Sequence, residues 1–223
     1  MQLLETKGLV KTYGNRRVVD GLSISVGRSE IVGLLGPNGA GKTTTFYMAV
    51  GIIKANAGKI FFDQDDITKK SIHERCRLGM GYLAQEPSIF RTLTVEQNIM
   101  AILETLNIGP RERRRRLESL LEELNISHLA KSKAYTLSGG ERRRLEITRA
   151  LVTKPSFLLL DEPFSALDTG LRAATRKAVA GLMKEAGITA ILVTHDQEEA
   201  LSFADHLVVM QEGILAQHGA PLD

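Results

Sequence analysis

Eight consecutive residues, Gly36-Pro37-Asn38-Gly39-Ala40-Gly41-Lys42-Thr43, have the types and order needed to cradle a phosphate chain. The glycines let the backbone turn tightly and aim its N–H groups at phosphate oxygens, and a helix starting at Lys42 would add a fractional positive charge. Lys42 would reach the β- and γ-phosphates, Thr43 would place its hydroxyl on Mg²⁺, and Thr44 follows in the same turn. A second element, this one acidic, comes much later, where Phe157-Leu158-Leu159-Leu160 runs into Asp161-Glu162-Pro163. A carboxylate pair at the end of an apolar strand emerges at the sheet edge where open α/β sheets bind ligands. Asp161 is the candidate outer Mg²⁺ ligand, through water, and Glu162 the candidate general base or water-positioning residue for in-line attack on a γ-phosphate. Ser138, with the N–H groups of Gly139 and Gly140, can form a further anion site at the start of a helix that continues through Arg149.

These groups need a scaffold that the apolar pattern supplies. Short β-type runs, Leu22 to Val26, Glu30 to Leu35 and Lys59 to Phe62, are separated by turn signals, and Lys42 to Val50 reads as the helix after the glycine loop. Tyr82 and Leu83 extend the strand set, ending at Gln85. From about residue 90 to 151 the spacing is helical, notably Val95 to Leu106 and Leu117 to Leu124. Thereafter Phe157 to Leu160 and Ile188 to Val193 are β-rich and flank a helical stretch, Leu171 to Lys184, stopped by Gly187. That alternation predicts a parallel sheet in an α/β fold. A hairpin, His206 to Met210 and Ile214 to His218, turns at Glu212-Gly213.

The 223 residues, 43% hydrophobic and 25% charged, describe a globular chain able to bury a large core, and a net charge of +3 does not call for nucleic acid. Apolar stretches fall far short of the roughly 18 residues that span a bilayer. The segment beginning at Met1 lacks a secretory pattern, and one cysteine, Cys76, cannot close an intramolecular disulfide, so a cytoplasmic location is expected. Cys76 has no His or Cys cluster near it in sequence and is not read as a ligand or nucleophile. The basic run Arg111 to Arg116 begins after Pro110 and precedes Glu118, Glu122 and Glu123, so it is expected to form a solvated helix face with pairs at i to i+4.

The order of the glycine loop, Leu137-Ser138-Gly139-Gly140-Glu141 and the Asp161-Glu162 strand end resembles ATP-binding cassette (ABC) transporter ATPases over essentially the whole chain. The resemblance implies a P-loop NTPase (RecA-like) core with a mainly parallel sheet, an N-terminal antiparallel β-subdomain and an inserted α-helical subdomain. It divides the chain into a core of residues 1–89 and 152–223 and a helical part of residues 90–151. It also implies roles that the residues alone do not carry. Tyr13 sits where the family stacks an aromatic on adenine, with Val18 as an apolar contact, although its type fits a half-buried strand tyrosine equally well. Gln85 matches the glutamine that touches Mg²⁺ and the attacking water, and His195 in Thr194-His195-Asp196 matches the histidine at the γ-phosphate. The resemblance further implies a homodimer closing on two ATP molecules, each held between one chain's loop and the other's Ser138, with Asp168 crossing the interface.

Within the family, residues up to about 164 look like the lipopolysaccharide-export branch, including Gly81 to Arg91. Residues 165–223 look like ATPases of ferric-iron, sulfate or polyamine importers. Because the stretch after Gln85 shapes the groove for the membrane partner in this family, export is favoured, with permeases docking near Gln85 to Asn98 and the chain peripheral on the inner face of the cytoplasmic membrane. Two family positions differ: Ala84 stands for a usual proline and Ser29 for a usual glycine.

Overall fold

The structure is a computed structural model, and residues 2–165 and 167–221 are described. Ala166, inside the Ser165 to Asp168 motif, and the terminal Leu222 and Asp223 lie outside the described residues. The chain divides into two compact units: residues 1–82, 156–162 and 187–223 form the first, and residues 83–155 and 163–186 the second. This division places the helix after Asp168 in the second unit, whereas the sequence reading assigned it to the core.

The first unit carries two sheets. In one, β1 (Gln2–Tyr13) pairs antiparallel with β2 (Arg16–Leu22), β3 (Ser25–Gly27) and β5 (Ala57–Phe62), and the two-residue β6 (Asp65–Asp66) extends β5. The other follows the order β11 (Ile214–Gly219), β10 (His206–Gln211), β4 (Ile31–Leu35), β9 (Thr189–Val193), β8 (Phe157–Asp161), β7 (Met80–Leu83). β10, β4, β9 and β8 run parallel, and β11 returns antiparallel as the expected hairpin. All five residues of β4, β8 and β9 are buried, which is why each reads as a continuous apolar run rather than an alternation. The expected strand from Leu22 to Val26 is interrupted at Ser23 and Ile24, where β1 changes partner from β2 to β3. Ser29 takes φ 58°, a left-handed conformation that favours glycine, while its N–H donates to Thr189 Oγ1 at 2.8 Å.

The helices of this unit are α1 (Lys42–Val50), α2 (Ile72–Arg77) and α7 (Gln197–Phe203). Gly41 at φ 96° starts α1 and Gly51 at φ 89° ends it, bonding back to Met48 and Tyr47 carbonyls. From α2, the buried Arg75 donates to the α1 carbonyls of Met48 at 2.8 Å and Ala49 at 2.6 Å, and to Thr68 and Lys70 carbonyls. Burial pushes its pKa down to about 10, against the opposing pull of the Glu74 carboxylate.

The second unit is helical: α3 (Val95–Leu103), α4 (Pro110–Glu123), α5 (Gly139–Leu151) and α6 (Thr169–Glu185). Its core joins Val95, Ile99 and Leu103 of α3 to Leu117 and Leu121 of α4 and Leu145 of α5. α3 stops at Leu103, short of the expected Leu106, and α5 runs two residues past Arg149. In the arginine run, Arg114 meets Glu118 as expected, but Arg115 and Arg116 both turn back to Glu112 within the run. The correction is geometric, since Glu112 sits one turn N-terminal to both arginines. No helix among the described residues is long and apolar enough to cross a membrane.

Candidate functional site

The first unit gathers the phosphate loop, the acidic strand end and the histidine at one edge of its parallel sheet. β4 delivers the chain to Gly36, and the loop through Gly41 opens into α1. At Gly36 and Gly41 the backbone leaves no space for a side chain. A Cβ on Gly36 would lie 2.2 Å from the Met210 carbonyl oxygen, and one on Gly41 would lie 2.4 Å from that of Val18. Glycine is needed at these two positions for close backbone approach and for positive φ. Gly213 N–H donates to the Ala40 carbonyl at 3.1 Å, so the β10–β11 turn braces the loop from behind.

Lys42 is buried, and its ammonium donates to the carbonyls of Gly36 at 2.6 Å and Pro37 at 3.0 Å. Burial lowers its pKa, against the opposing pull of the Glu162 and Asp161 carboxylates. Those carboxylates are therefore close enough to be felt across the sheet edge. Asp161 ends β8 at 1% exposure, opposite Val193 of β9. Glu162 follows at φ 43°, its N–H donating to the Val193 carbonyl at 2.9 Å. This turn swings its carboxylate out of the strand's alternation, and Glu162 Oε1 lies 3.0 Å from His195 Nδ1. The neighbouring Thr194 hydroxyl bonds to Glu199 of α7, and Asp196 caps that helix, which fixes the loop carrying His195. The structure thus brings Lys42, Asp161, Glu162 and His195 to one edge, with Thr43 exposed and Thr44 half-buried in the first turn of α1.

A cleft of about 500 Å³ runs along the loop, lined by residues 16–18 and 37–40 with Gln211 and Glu212. Val18 is in its wall; Tyr13 is outside the lining, exposed at the end of β1 with the Lys11 ammonium 5.2 Å from its ring. Arg16, Gln211 and Glu212 were not found by sequence reasoning, because a hairpin tip and a later turn carry no spacing signal that connects them to the loop.

The remaining candidates, Gln85, Ser138, Gly139, Gly140 and Asp168, lie in the second unit. Ser138 is the N-cap of α5 in a capping box: its N–H and hydroxyl donate to Glu141 Oε2, both at 2.8 Å, and its hydroxyl accepts from Glu141 N–H. Those two donors hold the Glu141 carboxyl below its ordinary range, the backbone N–H first. A Cβ on Gly140 would lie 2.6 Å from Leu171 Cδ2, so glycine here also serves the approach of α5 to α6. Asp168 caps α6 by accepting from Leu171 N–H at 3.0 Å.

Gln85 is exposed, and the chain around it is fastened to one face of α5. Arg143 and Glu146, both buried, pair at 2.9 Å, and Arg143 donates to Ala84 and Pro163 carbonyls. Glu146 accepts from Ser88 N–H, and Arg149 donates to the Ser88 carbonyl and lies 4.5 Å from the Phe90 ring centre. The regular i, i+3, i+6 spacing of 143, 146 and 149 was the available signal, hidden because charged helix positions read as solvent-facing.

A parallel sheet whose central strand feeds a glycine loop and helix, with an acidic pair on a nearby strand end, defines a nucleotide-binding P-loop ATPase. The ABC transporter family model matches residues 19–165. The lipopolysaccharide export system ATP-binding protein LptB of Acidithiobacillus ferridurans is 45% identical over 220 residues, 99% of this chain and 91% of that one. LptB of Escherichia coli strain K12 is 45% identical over 224 residues, 100% of this chain and 92% of that one. Among solved structures, CbiO1 from Clostridium perfringens, part of the ABC transporter complex CbiONQ, superposes with a TM-score of 0.89 at 30% identity, covering 99% of this chain and 89% of that one. The chain belongs to the ABC transporter family, and is an ATP-binding cassette ATPase.

Proposed function

We propose that this chain powers lipopolysaccharide export, binding and hydrolysing ATP to drive a pair of membrane permeases. The observation that carries the reading is full-length identity of 45% to proteins named for lipopolysaccharide export. The alternative, an importer ATPase, draws on residues 165–223. That region includes the Asp168 and His195 motifs, which serve nucleotide chemistry common to the family and so discriminate less.

In the mechanism, ATP lies along the phosphate loop, held by the backbone N–H groups of Gly39 to Thr44 and by the first turn of α1. Pro37 and Asn38 shape the outer bend, and Tyr13 with Val18 receives the base. Lys42 exchanges its carbonyl partners for β- and γ-phosphate oxygens, which stabilise its charge better than neutral carbonyls do. Among the described residues no three His, Cys, Asp or Glu side chains gather as a metal site. This donor set suits Mg²⁺, which is held by one or two protein groups plus phosphate oxygens and water rather than by a protein cage. Thr43 would hold it directly and Asp161 through water, the family resemblance adds Gln85, and when bound it would neutralise charge shared by the phosphates. Glu162 takes the proton of the attacking water or orients it, and His195 holds Glu162 and reaches the γ-phosphate.

A second copy completes the site. Its Ser138 hydroxyl leaves Glu141 for the γ-phosphate, the N–H groups of Gly139 and Gly140 add donors, and Asp168 crosses the interface. The permeases dock near Gln85 to Asn98, so the chain works on the inner face of the cytoplasmic membrane. The test is a pull-down from native membranes with the Glu162→Gln chain and ATP, read by mass spectrometry. Recovery of lipopolysaccharide-export permeases is expected; recovery of a permease tied to a solute-binding protein would assign the chain to an importer instead.

A further inference from the structure

The β1–β2 hairpin places a cation over the phosphate loop that the proposed mechanism leaves unused. Tyr13 and Arg16 are direct partners across the hairpin, and opposed residues of an antiparallel pair project on the same face. Arg17 also lines the cleft, but its guanidinium is paired with Asp20 at 2.9 Å. Arg16 lines the cleft along the loop, its Nη2 4.0 Å from the point that a Cβ on Gly39 would occupy. Among the described residues its guanidinium makes no ion pair or hydrogen bond, even though Glu212 lines the same cleft. Lys42, a further nearby cation, is turned into the loop onto carbonyl oxygens. Of these three cations, Arg16 is therefore the one left without an acid or carbonyl partner among the described residues.

We propose that Arg16 is a nucleotide-binding residue that closes over the loop and holds the polyphosphate of ATP or ADP, while its cross-strand partner Tyr13 receives the base. The inference rests on the ATPase reading and extends its binding site to the hairpin tip. The planar guanidinium suits this task, since it presents a fork of donors to phosphate oxygens. Its exposure limits the gain: solvent screens the charge, and ordering a long side chain has an entropic cost. The contact is also shared by ground and transition states, so it should act on affinity rather than on the chemical step.

Equilibrium titration of the full chain with ATP, ADP and AMP, at low and high salt, tests this. Arg16→Gln is expected to weaken ATP and ADP binding about tenfold, equivalent to about 1.4 kcal/mol. AMP should change by less than about twofold, and turnover at saturating ATP should be preserved. The loss should shrink at high salt. Arg16→Lys should recover part of the affinity through charge but not the fork geometry. Arg28→Gln, which removes an exposed arginine paired with Asp63 and absent from the cleft lining, is the control for mere change in net charge, and it should leave ATP affinity within about twofold. Equal losses in the Arg16 and Arg28 variants, or unchanged affinity in Arg16→Gln, would overturn the proposal. A wild-type chain that binds no adenine nucleotide would overturn it together with the ATPase reading, whereas normal wild-type binding with a silent Arg16 variant overturns the inference alone.

Discussion

Replacing Glu162 by Gln changes the proposed chemistry while keeping shape. The backbone bond from Glu162 N–H to the Val193 carbonyl and the turn at φ 43° do not depend on the carboxylate. The side-chain contact to His195 Nδ1 at 3.0 Å can be made by an amide, and His195 is 55% exposed, so the pair contributes little to folding. We predict a stability change under about 0.5 kcal/mol. The catalytic loss is of another order: without a proton acceptor or orienting anion for the water, turnover should fall about 10²- to 10⁴-fold. At about 1.36 kcal/mol per decade, that is about 2.7 to 5.4 kcal/mol of barrier. Affinity should move the other way, because a negative charge that Lys42 senses is removed from beside the phosphates. ATP should bind as tightly as in the wild type or a few-fold tighter, and the closed dimer should accumulate. Phosphate release, nucleotide titration and sedimentation on one preparation give the three numbers. Near-normal turnover would refute the role given to Glu162. A drop of several degrees in melting temperature would refute the claim that the loss is chemical.

Lys42→Ala should weaken ATP binding about ten- to a hundredfold by removing a charge-assisted phosphate contact, measured by titration; unchanged affinity would contradict its assignment. Arg75→Ala should cost about 3 kcal/mol, because it strips donors from the buried Met48 and Ala49 carbonyls. At about 2 to 4 °C per kcal/mol for a chain of this size, the melting temperature should fall by about 6 to 12 °C. Ser138→Ala should cost about 1 kcal/mol through loss of the α5 cap, and in addition slow turnover if a second copy's hydroxyl serves the γ-phosphate. The folded pKa of Glu141 is depressed below its ordinary 4.5, so its stabilising contribution is full above that value and lost as pH falls through the folded one. Denaturant melts of wild type and Glu141→Gln should therefore converge on acidification.

The sequence by itself determined the elements whose physics is local. The fully buried strands β4, β8 and β9 declare themselves as apolar runs, and the residues 36–43 need a fixed order to wrap phosphate, so neither signal depends on distant partners. The capping motif at Ser138 and the glycine stops of α1 are local for the same reason. What required the tertiary structure were properties set by distant chain. The break between β2 and β3 follows from β1 changing partner. Burial of Arg75, Arg143 and Glu146 could not be read from residue type, because a charge is tolerated inside only when carbonyls or a counter-ion from elsewhere in the chain meet it. Likewise the motifs identified Lys42, Glu162 and His195 singly, but the register of β8 against β9 brings Glu162 to His195. Only the hairpin register puts Arg16 beside Tyr13 and over the loop, since cross-strand pairing fixes which residues share a face and linear spacing does not.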